Sequence, residues 1–237
     1  MSVVFYSFLA ALATIIGGGL PLLCNSINQR RLPLLIAFSA GLLLSAGLNH
    51  MAIESISISG RWAMVALSFG FVFIYGYEKV AMIHVCRDRG CKDHSFGYPT
   101  LIGVGFHSFL DGFVIAMSFE FERTLGFMVI MAVILHRLPT GISLTAILLS
   151  HGYKESKAWV ILIIISSLAI IGGVAGVVIE LSNTFILSLA MAFSAGLFIY
   201  ISTTNLIPMV HKNNQDYRVP IFFLIGFLSI MVAGFME

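Results

Sequence analysis

The sequence predicts an all-α polytopic membrane protein, with eight transmembrane helices in a single transmembrane domain covering residues 1–237. Three observations predict it. The chain is 59% hydrophobic and 10% charged, with mean hydropathy +1.00, whereas a soluble domain carries about 25% charged residues. Its apolar residues gather into stretches of the ~20 residues that a bilayer crossing needs. Its basic residues fall almost entirely on alternate connections between those stretches. So little loop leaves no room for a soluble catalytic domain.

The first stretch, Val3–Cys24, is not preceded by Lys or Arg. It lacks the basic n-region of a secretory signal, and is expected to remain as a helix. The second, Leu34–Ser55, carries His50 and Glu54 near its far end. The third is Trp62–Met82. The fourth, Tyr98–Phe119, and the fifth, Leu125–Ser150, each hold a histidine deep inside an apolar run. The sixth, seventh and eighth are Ala158–Ile179, Phe185–Met209 and Val219–Met236.

Charge tests the count. With eight spans both termini lie on one side, and the connections on that side carry only Arg61 and Arg123. The opposite connections carry Arg30, Arg31, Lys79, Arg87, Arg89, Lys92, Lys154, Lys157, Lys212 and Arg218. Cytoplasmic loops are enriched in Lys and Arg, so both termini are expected to be extracytoplasmic. Seven spans would scramble this partition. Arg137 is left inside the membrane.

The fourth and fifth spans share a pattern. His107-Ser108-Phe109-Leu110-Asp111-Gly112 and His136-Arg137-Leu138-Pro139-Thr140-Gly141 each place a polar residue four positions after the His, on the same helix face. Running in opposite directions, the two spans put both histidines near mid-membrane. Ionisable groups are costly there and usually mark an ion or proton path. Imidazole and carboxylate suit first-row divalent metals, which makes His107, Asp111 and His136 the candidate metal ligands. These groups could instead serve only as hydrogen-bond links between helices. Three of them at one depth favour a site.

The neighbouring residues bear on that site. His50 and Glu54 are either part of it or a solvated pair near the interface. Pro139 disturbs the Leu135 carbonyl, which could line a polar cavity, and Gly112 and Gly141 permit close backbone approach. Arg137, if buried, needs a partner, and Asp111 is the candidate. A second metal beside Arg137 would be repelled.

Ala37-Phe38-Ser39-Ala40-Gly41-Leu42 recurs as Ala192-Phe193-Ser194-Ala195-Gly196-Leu197. The second span runs outward and the seventh inward, so the copies have opposite orientation. Internal repeats of inverted topology are typical of secondary transporters, and small residues allow close helix packing.

These motifs resemble the ZIP (Zrt/Irt-like) family of divalent metal transporters. His107-Ser108-x-x-Asp111-Gly112 is similar to the family's H-[SN]-x-x-[DE]-G, and His136-Arg137-x-Pro139-x-Gly141 to its H-[KRE]-x-P-E-G. His50-x-x-x-Glu54 is similar to its helix-2 segment H-L-L-P-E, and Asn205-Leu206-Ile207-Pro208 to [DN]-L-[IL]-P-E in helix 7. The resemblance covers nearly the whole chain. It implies an inverted repeat of helices 1–3 and 6–8 around helices 4 and 5. It also implies metal uptake into the cytoplasm through a site on helices 4 and 5, with His107, Asp111 and His136 as ligands. The transported ion is expected to be zinc, with iron, manganese and cadmium as alternatives. A plasma (cell inner) membrane is the expected location. Two departures weaken charge compensation at the site: Thr140 stands in place of the helix-5 Glu, and Met209 in place of the Glu after Pro208.

The connection between the third and fourth spans holds His84, Cys86, Cys91 and His94, four metal-binding residue types in a spacing that matches no standard zinc finger. A cytoplasmic position argues against a Cys86–Cys91 disulfide. With His211, these residues could receive the ion. Two other functions compete. A non-transporting metal sensor or scaffold draws support from Thr140 and Arg137. An intramembrane metal-dependent hydrolase lacks both H-E-x-x-H and a second carboxylate placed as a general base. The chain is therefore expected not to be an enzyme and to need no resident cofactor. Its partners are the metal ion and the bilayer, not nucleic acid. A homodimer stays open.

Overall fold

A computed structural model describes residues 3–23, 32–85, 97–121, 123–179, 184–212 and 216–234. They form helices α1 (Val3–Leu23), α2 (Leu32–Ser59), α3 (Arg61–Val85), α4 (Gly97–Phe121), α5 (Arg123–Ser150), α6 (Glu155–Ile179), α7 (Thr184–His211) and α8 (Arg218–Gly234). There is no strand among the described residues. Seven of the helices are long and apolar enough to cross a bilayer, and the apolar part described for α8, Arg218–Met231, is shorter. The all-α polytopic class holds.

Glycine sets the tightest turn. Gly60 joins α2 to α3 at φ +55° and donates its amide to the Ile56 carbonyl at 2.9 Å. Only a residue without Cβ takes that conformation at little cost. The helices therefore reach further toward this turn than the apolar stretches alone suggest, and Ser55 and Ser59 bond back to the Met51 and Ser55 carbonyls.

Small residues decide which helices touch. α1 lies along α5: Gly17 abuts the Leu138 carbonyl, and Gly141 abuts the Thr14 carbonyl and Gly18 amide. A shift of 155 residues in α1 and 29 between α5 and α4 maps this contact onto another. Gly172 of α6 abuts the Phe109 carbonyl of α4, and Gly112 abuts the Ala169 carbonyl and Gly173 amide. α2 and α8 meet through Gly41 at Phe223 and Gly226 at Phe38. α7 and α3 meet through Gly196 at Leu67 and Gly70 at Phe193, which is the same pairing to within one residue. Backbones approach this closely only where there is no side chain between them.

The two triplets run in opposite senses. Thr145 donates to the Gly18 carbonyl at 2.8 Å, one turn beyond the Gly141 contact, so α1 and α5 are parallel. α4 and α5 follow each other end to end and are antiparallel, while α6 follows α4. The repeat is thus inverted, as the duplicated hexapeptide predicts. It also holds in detail: a π-helical turn interrupts α2 at Ala46–Ala52 and α7 at Ile201–Leu206, each beginning nine residues after the start of its hexapeptide. Such turns add a residue to the helix and often accompany functional positions.

One end of the bundle carries the start of α1, the Gly60 turn, the α4–α5 junction and the end of α8. This is called the terminal end. The other, where α1 ends and α2 begins, is called the basic end, because the sequence concentrates Lys and Arg in its connections.

Candidate metal centre

α4 and α5 bring the predicted residues together. The carboxylate oxygen Oδ2 of Asp111 lies 3.0 Å from His136 Nε2, 3.4 Å from His107 Nε2 and 2.9 Å from Arg137 Nε. One ligand atom from each of His107, Asp111 and His136 can be chosen so that all lie within 4.8 Å of one another. That is the spacing of donors around one ion. The helices explain the convergence. The i,i+4 spacing stacks His107 over Asp111 on one face of α4, and α5, antiparallel to α4, brings His136 to the same carboxylate. The edge of the His107 ring meets Phe198 of α7, with centroids 4.8 Å apart, which fixes one wall.

Arg137 is completely buried. Besides its ion pair with Asp111, its guanidinium donates to the Ser108 hydroxyl at 2.7 Å, the Ser108 carbonyl at 2.8 Å and the Thr14 hydroxyl at 3.4 Å. A buried guanidinium is tolerated where it is paired and hydrogen-bonded, and here α4 supplies Asp111 and Ser108 and α1 supplies Thr14. The expected Arg137–Asp111 pair is present. Together the two residues carry no net charge.

A cavity of about 860 Å³ runs from the terminal end, where Glu54, Thr124 and Phe127 line it, down to His107, Asp111 and His136. His50 stands between mouth and floor. Its ring centroid is 6.0 Å from that of His136, and its Nδ1 is 3.9 Å from Glu54 Oε2. His50 and Glu54 thus both line the cavity. Leu135 also lines the cavity. Thr140 does not face an ion in the way a carboxylate would: its hydroxyl donates to the His136 carbonyl at 2.6 Å.

Residues 95–235 match the family model described as ZIP zinc transporter. The chain belongs to the ZIP family. It is 33% identical over 120 residues to "Zinc transporter zipt-7.2" of Caenorhabditis elegans, covering 47% of this chain and 25% of that protein. It is 28% identical over 232 residues to "Zinc transporter YKE4" of Saccharomyces cerevisiae, covering 82% of this chain and 66% of that protein. With "Zinc transporter ZIP10" of Danio rerio the identity is 28% over 133 residues, 56% of this chain and 16% of that protein. The chain thus spans between a sixth and two thirds of the length of these ZIP relatives.

Sequence reasoning missed three features of this ZIP centre. Thr14 anchors Arg137 from α1, yet nothing distinguishes it from other hydroxyls in an apolar helix. Ser108 takes two guanidinium donors, and its place beside His107 in the motif was the available signal. The thioethers of Met51, Met128, Met131 and Met191 line the cavity, and in sequence they read as ordinary membrane-helix residues. Cys86, Cys91 and His94 lie outside the described residues, as does the side chain of His84.

Proposed function

We propose that this chain carries a divalent metal cation, zinc foremost, across a cell's inner membrane and into the cytoplasm. The observation that carries the reading is the convergence of His107, Asp111 and His136 at the floor of a cavity that runs from one end of a helical bundle. Zinc takes imidazole nitrogen and carboxylate oxygen, and these side chains offer two and one. The basic end takes the cytoplasmic side by the positive-inside rule, so the cavity faces outward and both termini are extracytoplasmic.

The ion passes Glu54 and His50, then replaces the His136–Asp111 hydrogen bond and the 3.4 Å contact of His107 with Asp111. Arg137 keeps its hold on Asp111 and occupies the flank where a second ion would sit, so the centre takes one ion. With the Asp111 charge shared, a divalent ion is bound by a neutral site. Such a site releases its cargo readily, which suits passage better than storage.

The test is zinc flux into proteoliposomes holding the purified chain. Flux is expected with wild type and lost in H107A/H136A. Flux unchanged in that double variant, from well-folded protein, sinks the assignment. Arg137 and Thr140 favour one second reading, a protein that binds metal without passing it. Bound zinc with no wild-type flux would select it.

A further inference from the structure

We infer that the cavity above the His107–Asp111–His136 group takes one acyl chain of a membrane phospholipid, which enters sideways past the exposed face of α5. The lipid belongs to the leaflet at the terminal end. The inference goes beyond the proposed transport and does not depend on it.

The lining is of two kinds. Glu54, His50, His136, Asp111 and His107 carry its ionisable groups. Phe127, Met128, Met131 and Leu135 of α5, with Leu110 of α4, carry hydrocarbon, ring and thioether surface. The four α5 residues are also on the outside of the bundle, each between 51% and 65% exposed, so among the described residues no helix packs over them. Phe127, Met131 and Leu135 stand four apart and form one stripe along the helix. α5 spans from Gly126 to Ser150, and that stripe therefore meets lipid. Leu135 lies about 13 Å into the span at 1.5 Å per residue, close to the middle of a hydrocarbon core about 30 Å thick. The same side chains thus bound the cavity and the bilayer, down to the depth of His136.

Water is a poor filling for such a space. Apolar cavities stay dry or take an apolar guest, and here hydrocarbon stands at the side. A chain that moves in from the bilayer loses no hydration and gains dispersion contact with the walls. Water along Phe127 and Met131 would find few hydrogen-bond partners. The volume of about 860 Å³ lies in the range of pockets that hold whole organic ligands, far beyond what one ion needs. Charge fits as well. Arg123 is exposed one residue before Thr124, which lines the rim, and a guanidinium is a favoured partner of phosphate. The headgroup then stays at the terminal end while the chain reaches inward along α5. On the transport reading the ion keeps to Glu54, His50 and His136, and the chain is the wall that confines water to that line.

The test maps where a lipid chain reaches. The purified full chain is placed in vesicles of phosphatidylcholine with a photoreactive diazirine on one acyl chain, irradiated, and its adducts are located by peptide mass spectrometry. Lipid surrounding the bundle labels Phe127, Met128 and Met131 in any case. Leu110 and Met51 line the cavity but are only 6% and 2% exposed, so a chain labels them only from inside. Adducts on Leu110 or Met51 are expected. Ala132→Phe, which puts a ring into the cavity wall, should lower those adducts fivefold or more and leave the ones on Met128 as they were. Adducts confined to the outer stripe overturn the inference, as do inner adducts that a folded Ala132→Phe protein leaves unchanged. If Ala132→Phe does not fold, the wild-type map decides alone. No metal is present in this experiment, so its outcome is separate from that of the zinc flux.

Discussion

Asp111 and Arg137 meet through Oδ2 and Nε at 2.9 Å, and the oxygen that Arg137 holds is the one nearest both histidines. The cation of the protein and the cation it is proposed to carry therefore draw on the same carboxylate.

Replacing Arg137 by Met is expected to lower the stability of the metal-free protein by about 3 kcal/mol or more, because removing one partner strands a buried charge. Zinc should restore much of that loss, since the ion can take over as the positive partner. Thermal unfolding with and without zinc checks this. Equal destabilisation in both would mean that Arg137 does not compete with metal for Asp111.

Thr140→Glu adds a second carboxylate one turn after His136. Zinc affinity is expected to rise by about tenfold or more, which corresponds to about 1.4 kcal/mol, and ion release should slow. Calorimetric titration against wild type and single-turnover efflux measure the two effects. Unchanged affinity would show that position 140 points away from the bound ion.

Acid should weaken zinc binding. The ligands bind metal only when deprotonated, so protons and metal compete. Affinities at pH 7.5, 6.5 and 5.5 test the sign. Affinity that is flat or rises on acidification would remove His107 and His136 from the ligand set.

Gly112→Ala and Gly141→Ala should each destabilise the bundle by about 1–3 kcal/mol, the range for overpacking. A methyl at Gly112 meets the Ala169 carbonyl, and one at Gly141 meets that of Thr14. The repeat makes the two losses comparable. A neutral result at one site and a severe one at the other would show that the halves do not bear on the centre alike.

The class of fold was legible because membrane burial writes itself into composition and spacing. The candidate ligands were legible because ionisable residues such as His107 and Asp111 stand out in an apolar helix. The repeat was visible only at the hexapeptide, since elsewhere what recurs is a glycine meeting a carbonyl, as at Gly17 and Gly172. A backbone contact constrains one small residue and leaves its neighbours free to differ. Thr14 carried no signal: its hold on Arg137 follows from packing of α1 on α5, which no local pattern states.

The inverted repeat has a consequence for motion. The two triplets share one set of backbone contacts, yet one carries His50 beside an open cavity and the other carries Asn205, buried beside Glu78. If each triplet took up its counterpart's pose, the opening would pass from the terminal end to the basic end while the glycine contacts along α4 and α5 kept their form. The chain thus holds, in its own duplicated half, a template for the shape in which its cargo would leave.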